Sequence, residues 1–359
     1  LIRKQLEQLE QFEHLEQSEA FSLFHIPASC LKLLRLQPKV TIGLVLFGSS
    51  YLTESLPSLL AQDYPNLEFI FRDHSPSGAT KKFIEENLPE VAAKAQIEVG
   101  ENLFHSGGMN ALINASTGKY FVAASTDMLY SPDLISKAIA KLEKPENKQF
   151  GFAAPKLRKW DAAWNEKTRF LDSVGIGITY SHHFYDIGSG EMDNGQFDNL
   201  QEVFGASGAL VIFRREALDD IALKREYFEE YLHFKNDVEI SYRLQWAGWK
   251  CLPLKDCIAW HSRGLSREKQ REKRSKLEIE NSFFGHRATI LKNFSPDFSL
   301  RTKVTTHLRN FFTLIYSAIF ETSSLLQLRK LRELKPTLIA RGRLSPHRIA
   351  ASEIEKYMG

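Results

Sequence analysis

Asp73, Asp127, Asp237 and His261 are the side chains whose chemistry stands out, because each sits where an apolar run stops or a helical repeat begins. Asp127, in AASTDML, follows a buried run and precedes a helix opened by Pro132. A carboxylate there can hold a divalent cation against a diphosphate. Mg2+ and Mn2+ prefer oxygen ligands and keep waters, so one or two carboxylates plus phosphates suffice. A plain turn aspartate is the alternative. His261 closes CIAWH; imidazole is a competent Mn2+ ligand, with Mg2+ less suited, and a lone histidine can equally be structural. Asp73, in FRDHSPSG, can accept hydrogen bonds from the N–H of a nucleotide base or close an Asx-turn. Gly107 and Gly108, in HSGGMNALINAS, allow close backbone approach to a ligand or permit a tight turn. In YLHFKNDVEISYRLQWAGWKC, Asn236 or Asp237 can cap a helix, and Glu239 completes a capping box if Asn236 is the cap. Ile240, Leu244 and Ala247 then form one apolar stripe that ends at Gly248.

These residues need elements to hold them. VTIGLVLF (Val40–Phe47) reads as a buried strand, followed by a helix from about Thr53 to Ala61. LEFIF (Leu67–Phe71) is a second strand, Ala79–Asn87 a helix, and QIEV (Gln96–Val99) a third strand. The glycine-rich HSGGMNALINAS is helical, and YFVAAS (Tyr120–Ser125) is a fourth strand. This alternation predicts an α/β fold with a doubly wound, mostly parallel sheet. Ligands in such folds sit beyond the carboxyl ends of the strands, where Asp73 and Asp127 stand. From Trp160 to Gln201 the periodicity fades, which predicts loops with a small hairpin; ALVIFRREAL returns to strand and helix, and a strand runs near Cys257–Trp260. Helical extensions are expected at both ends, giving segments 1–37, 38–264 and 265–359.

Composition narrows the function. At 43% hydrophobic and 25% charged the chain is ordinary globular material. Cys30, Cys251 and Cys257 form no CxxC pair, which suits a reducing compartment and a cytoplasmic location. No signal peptide is expected from the leading residues. The GxGxxG spacing and a P-loop lysine are both missing, so a dinucleotide dehydrogenase or a kinase is not supported. LFGSSYLTES has no basic residue for a triphosphate, which argues against a nucleotidyltransferase. Nucleic-acid binding is not expected, because the basic excess is modest and no reader motif occurs.

In their order, these motifs resemble the inverting glycosyltransferases of family 2, which have the GT-A fold, and most of all their rhamnosyltransferase-like branch. The resemblance covers roughly Lys39 to Gly264, with a weaker match to about Pro296. It implies sugar transfer from a nucleotide-diphosphate donor to a hydroxyl of a glycan or polyprenyl-linked acceptor, with Mn2+ or Mg2+ at the diphosphate. It implies Asp237 as the catalytic base, Asp127 and His261 as metal ligands, and Asp73 at the donor base. Phe47, Ser75, Gly107, Gly108, Asn110, Ser125 and Thr126 would then surround the donor. Gly205, Ser207, Gly208, Asn236 and Trp160 would face the acceptor, with Trp164, His182, His183 and Tyr185 in a segment suited to sugar stacking. Three positions depart from the family pattern: Gly48 for a common Asn, Ser77 for a frequent Asp, and Asn236 for the first acid of the pair. A degenerate domain kept as a binding scaffold is the competing reading.

Charge is uneven along the chain. Residues 265–359 hold 19 Lys/Arg against 9 Asp/Glu, a net +10, and the preceding residues are net −7. With the apolar run FFTLIYSAIF (Phe311–Phe320), too short to span a bilayer, this segment is expected to dock on an anionic membrane at the inner face of the cell or to pack on protein. The Leu/Gln/Glu-rich N-terminus is a candidate oligomerisation helix for a homo-oligomer.

Overall fold

The computed structural model describes residues 37–262 and 275–359. The expected N-terminal helix around Leu6, Leu9 and Phe12, Cys30 and the basic stretch 265–274 lie outside these residues. Lys39–Gly359 forms one compact unit.

The first half alternates as its periodicity predicts. Strand β1 (Val40–Leu46) leads to α1 (Leu52–Leu60), β2 (Leu67–Asp73), α2 (Ala79–Asn87), α3 (Pro89–Lys94), β3 (Ala95–Val99), α4 (Phe104–Ala115) and β4 (Tyr120–Ala124). Then come β5 (Met128–Tyr130), α5 (Leu134–Leu142), β6 (Phe150–Asp161), β7 (Glu166–Ser173), β8 (Ile176–Ile178), β9 (Phe184–Asp186) and β10 (Leu210–Arg214). Helices α6 (Arg215–Ile221) and α7 (Asn236–Trp246) precede β11 (Lys250–His261), followed by α8 (Lys276–Asn293), α9 (Leu300–Phe320), α10 (Gln327–Leu344) and α11 (Ala351–Glu355). The main sheet has the order β3-β2-β1-β4-β10-β6-β11-β5, with β7 added on β6. Strands β3, β2, β1 and β4 are parallel, whereas β10 runs antiparallel to both β4 and β6. The runs VTIGLVL, YFVAA and LVIFR are apolar nearly throughout because their strands lie mid-sheet with both faces covered.

Residues 160–201, expected as loops with one small hairpin, hold more strand than that. β7 pairs antiparallel with the long β6, and β8 with β9 makes a separate two-stranded ribbon. Strand β6 contains Pro155 and shows no clean alternation, so its sequence carried little strand signal.

The C-terminal helices hold α7 in place through buried charge. Lys292 of α8 donates to Glu229 and, at 2.6 Å, to Glu239 of α7. Arg243 pairs with Glu239 at 2.9 Å, and Arg341 of α10 with Glu229 at 2.7 Å. The expected capping box from Asn236 to Glu239 is therefore absent: Glu239 points into this network, and Lys235 holds the cap position with φ 66° and no side-chain cap. Burial alone would raise the Glu239 carboxyl, but Arg243 and Lys292 hold it well below the usual carboxylate range. Lys292→Met removes the cation shared by the two carboxylates while Glu239 keeps Arg243 and Glu229 keeps Arg341, so it is expected to cost about 1.5–3 kcal/mol, read by urea unfolding.

Glu68 ties the β1–β2 edge together. It accepts from Lys39 at 2.7 Å and from Thr41, the Thr117 N–H and the Thr117 hydroxyl. Burial opposes ionisation, but these donors together bring its carboxyl down to about 2, led by Lys39. Because the folded value lies below the unfolded one of about 4.3, the contribution is complete above that pH and fades as pH falls towards about 2. Glu68→Gln should therefore destabilise the fold by about 1–2 kcal/mol at neutral pH and by progressively less in acid, as followed by melting across pH.

Candidate active site

Strand register brings the singled-out residues to one edge. Leu210 pairs with Ala124, so Ser207 and Gly208, just before β10, lie beside Ser125 and Thr126, just after β4. The carboxyl ends of β1 and β2, with Phe47 and Asp73, belong to the same edge of the parallel half.

At its centre is Asp127. The pairing of His261 with Met128 sets the imidazole against this carboxylate: His261 Nε2 lies 3.3 Å from Asp127 Oδ2. On its other side, His261 Nδ1 lies 2.9 Å from Asp172 Oδ2 of β7, and Asp172 is almost wholly buried. The Ser125 hydroxyl donates to Asp127 Oδ1. Burial alone would lower the His261 imidazole, but the two carboxylates lift it to about 9. Burial likewise opposes Asp127, yet His261 and Ser125 hold its carboxyl at about 2. A histidine whose far nitrogen is fixed by a carboxylate, with its near nitrogen beside a second carboxylate, is a donor set suited to Mn2+. Among the described residues no group of three or more His, Cys, Asp or Glu could hold a metal alone. If a cation binds here, Asp127 and His261 are the described residues placed to be its ligands, and phosphate oxygens and water would supply the rest.

Asp237 lies at the start of α7, half-buried. Its Oδ2 accepts from the Gly208 N–H at 3.1 Å and its Oδ1 from the Val238 N–H at 2.8 Å. A Cβ on Gly208 would fall 3.2 Å from the Asp237 Cβ, so glycine permits this approach. Asn236 Nδ2 faces His105 Nδ1 at 3.0 Å, so that ring nitrogen accepts and the ring proton sits on Nε2. Burial pushes the His105 imidazole down, against the opposing charge of Asp237.

Several expected positions turn inward. Both Asp73 oxygens are engaged at 2.8 Å, by the N–H groups of Ser75 and Lys81, and the residue is fully buried. The Asx-turn alternative is thus realised, and Asp73 shapes the loop beyond β2. Ser75 is also buried, its hydroxyl accepting from the Thr80 N–H. Gly108 serves packing: a Cβ there would meet Val45 Cγ2 at 2.6 Å and His74 Cε1 at 2.7 Å. One on Gly107 would meet Leu103 Cβ at 2.6 Å, and one on Gly205 the Ser241 Oγ at 2.5 Å. Asn110 is buried and pins the segment after α6, donating to the Phe228 carbonyl and accepting from the Tyr227 and Phe228 N–H groups. Trp160 is buried edge-on to Tyr51, with its N–H donated to Asn165, so it offers no open face to a sugar. His182 is fully buried, while Phe47, Trp164, His183 and Tyr185 are exposed. Ser207 lies nearly buried beside Gly208, and Thr126 is half-buried.

Two residues of this edge were not singled out by sequence. His105 stood in the quoted glycine-rich motif, where a polar ring at a helix start was the available signal. Asp172, in RFLDS, gave no signal beyond an acid in a half-apolar strand, since its partner is 89 residues away.

The family model of glycosyl transferase family 2 matches residues 45–222. Asp237 and His261 lie beyond the matched span. A Haemophilus influenzae protein described as an uncharacterized glycosyltransferase is 29% identical over 103 residues, 28% of this chain and 31% of its own length. The chain thus spans about a third of that relative. A Bacillus subtilis protein, EpsE, named as a candidate glycosyltransferase, is 24% identical over 216 residues, 58% of this chain and 73% of its own. Among solved structures, the mannosyltransferase PcManGT of Pyrobaculum calidifontis, in complex with GDP-Man and Mn2+, superposes with a TM-score of 0.50 at 16% identity, over 90% of this chain and 86% of its own. Staphylococcus aureus TarS 1-349 in complex with UDP-GlcNAc gives 0.52 at 14% identity, over 89% of each chain. At such identities the likeness carries the fold. Fold and family match agree: residues 45–222 form a glycosyl transferase family 2 domain, in a chain that has the GT-A fold.

Proposed function

We propose that this protein is an inverting glycosyltransferase that moves a sugar from a nucleotide-diphosphate donor to a hydroxyl of a glycan or lipid-linked glycan. The observation that supports this reading best is the shared edge: the Asp127–His261–Asp172 line and the Asp237 carboxylate flank adjoining strand ends, β4 and β10.

Asp127 and His261 would hold a divalent cation. When bound, it supplies positive charge to the departing diphosphate. Asp172 keeps the His261 ring oriented, with Nε2 directed at Asp127. Asp237, oriented by the Gly208 and Val238 N–H groups, takes the proton of the acceptor hydroxyl. The hydroxyl oxygen bonds to the anomeric carbon from the face opposite the diphosphate as the bond to the phosphate oxygen breaks. One displacement inverts the anomeric centre. Phe47 offers an exposed ring at the end of β1, suited to stacking the donor base. Exposed Trp164 and Tyr185, rather than Trp160, are the aromatic faces available for acceptor sugars.

The test is turnover of a panel of UDP-, dTDP- and GDP-sugars in Mn2+, with product stereochemistry read by NMR. Transfer with inversion is expected. Retention of the anomeric configuration would overturn the base assignment, and failure to consume any donor would leave a binding scaffold as the better reading.

A further inference from the structure

Helix α9 (Leu300–Phe320) is inside out. Its inward face is small and polar: Thr302, Thr306 and Ser317 are its buried residues. Its outward face carries Val304, Leu308, Phe311, Phe312, Ile315 and Ile319, with Phe311 57%, Phe312 61% and Ile319 64% exposed. Steps of three and four residues place these on one continuous stripe, since a helix turns every 3.6 residues or so. A globular surface helix has the opposite arrangement, so this stripe calls for an apolar partner.

We propose that α9 lies flat in the interface of an anionic lipid bilayer and docks the protein there. Three observations select this occupant. Among the described residues no helix is long and apolar enough to cross a membrane, which leaves an in-plane helix. The helix carries Arg301, Lys303 and Arg309 and no Asp or Glu. Arg301 is exposed at the start of the helix and Lys303 lies on its flank between the stripe and the inward face, where long side chains can reach acidic headgroups, whereas Arg309 is half-buried. A second copy using the same face would set these cations against one another.

Docking also orients the site. Thr306 bonds His182 Nδ1 at 2.7 Å, and His182 Nε2 bonds the Tyr242 hydroxyl at 2.9 Å. Tyr242 lies on α7, the helix that begins with Asn236 and Asp237. A buried chain of contacts therefore links the lipid-facing helix to the candidate base, and the docked protein presents its acceptor side at a fixed attitude to the bilayer.

The experiment is co-sedimentation of the full chain with phosphatidylcholine vesicles, with and without an equimolar share of phosphatidylglycerol. Wild type should partition onto the anionic vesicles only, and less so at high salt. The double variant Phe311→Ser/Phe312→Ser should lose about tenfold or more of that binding. Lys303→Glu should weaken binding to anionic vesicles by several fold. Both changes are at the helix surface, and matched circular dichroism and melting would show the fold retained; should the double variant melt early, Lys303→Glu carries the test. Wild type left in the supernatant, or bound equally by both variants, would overturn the proposal. So would a wild-type dimer in light scattering that the double variant splits, since the stripe would then belong to a second copy. Vesicle binding is read without turnover, so its failure is separate from a failure of the transfer chemistry.

Discussion

Asp237→Asn should lower kcat by about 10²–10⁴-fold, the usual contribution of a positioned general base, and leave nucleotide binding unchanged. The substitution keeps shape and one carbonyl oxygen, so the Gly208 or Val238 N–H retains a partner, but the amide cannot take a proton from an attacking hydroxyl. A loss confined to kcat separates a base from a structural cap, because a lost cap would lower the melting temperature and leave chemistry intact. Equal kcat in the two proteins would return Asp237 to the role of a helix-start residue.

The second large effect concerns the metal pair and its support. Asp127→Ala removes one of the two proposed ligands and should abolish metal-stimulated nucleotide binding. Asp172→Asn leaves both ligands in place but weakens the partner that orients His261, so Mn2+ affinity should fall about 10–100-fold. Calorimetric titration of Mn2+ in the presence of nucleotide diphosphate separates the two: loss of binding for Asp127→Ala, a graded weakening for Asp172→Asn. If Asp172→Asn bound Mn2+ like wild type, the Asp172–His261 contact would be a folding interaction only.

Much of the first half was legible because its signals are local. Continuous apolar runs gave β1, β2 and β4, and helix α2 falls on the expected Ala79–Asn87. Asp127 and His261 were readable as strand-end groups, and their meeting follows from β5–β11 pairing. What the sequence did not disclose was long-range. Gly108, read as ligand approach or a tight turn, packs its helix on the sheet, since only the fold brings His74 and Val45 against it. Asp73, read as a donor-base contact or an Asx-turn, and Asn110, read as a donor contact, are both buried with backbone N–H groups on their oxygens. Glu239 fitted a capping box by spacing, but buried Lys292, 53 residues away, competes successfully for it. Trp160 had the chemistry for sugar stacking and lost its surface to Tyr51.

The most direct test of the central claim, that Asp127 and His261 mark a metal-dependent nucleotide site beside Asp237, is calorimetric binding of UDP, dTDP and GDP to the wild-type chain in Mn2+ and in chelator. At least one nucleotide is expected to bind in Mn2+ and to be released by chelation. Binding that is indifferent to chelator, or no binding of any of the three, would contradict it.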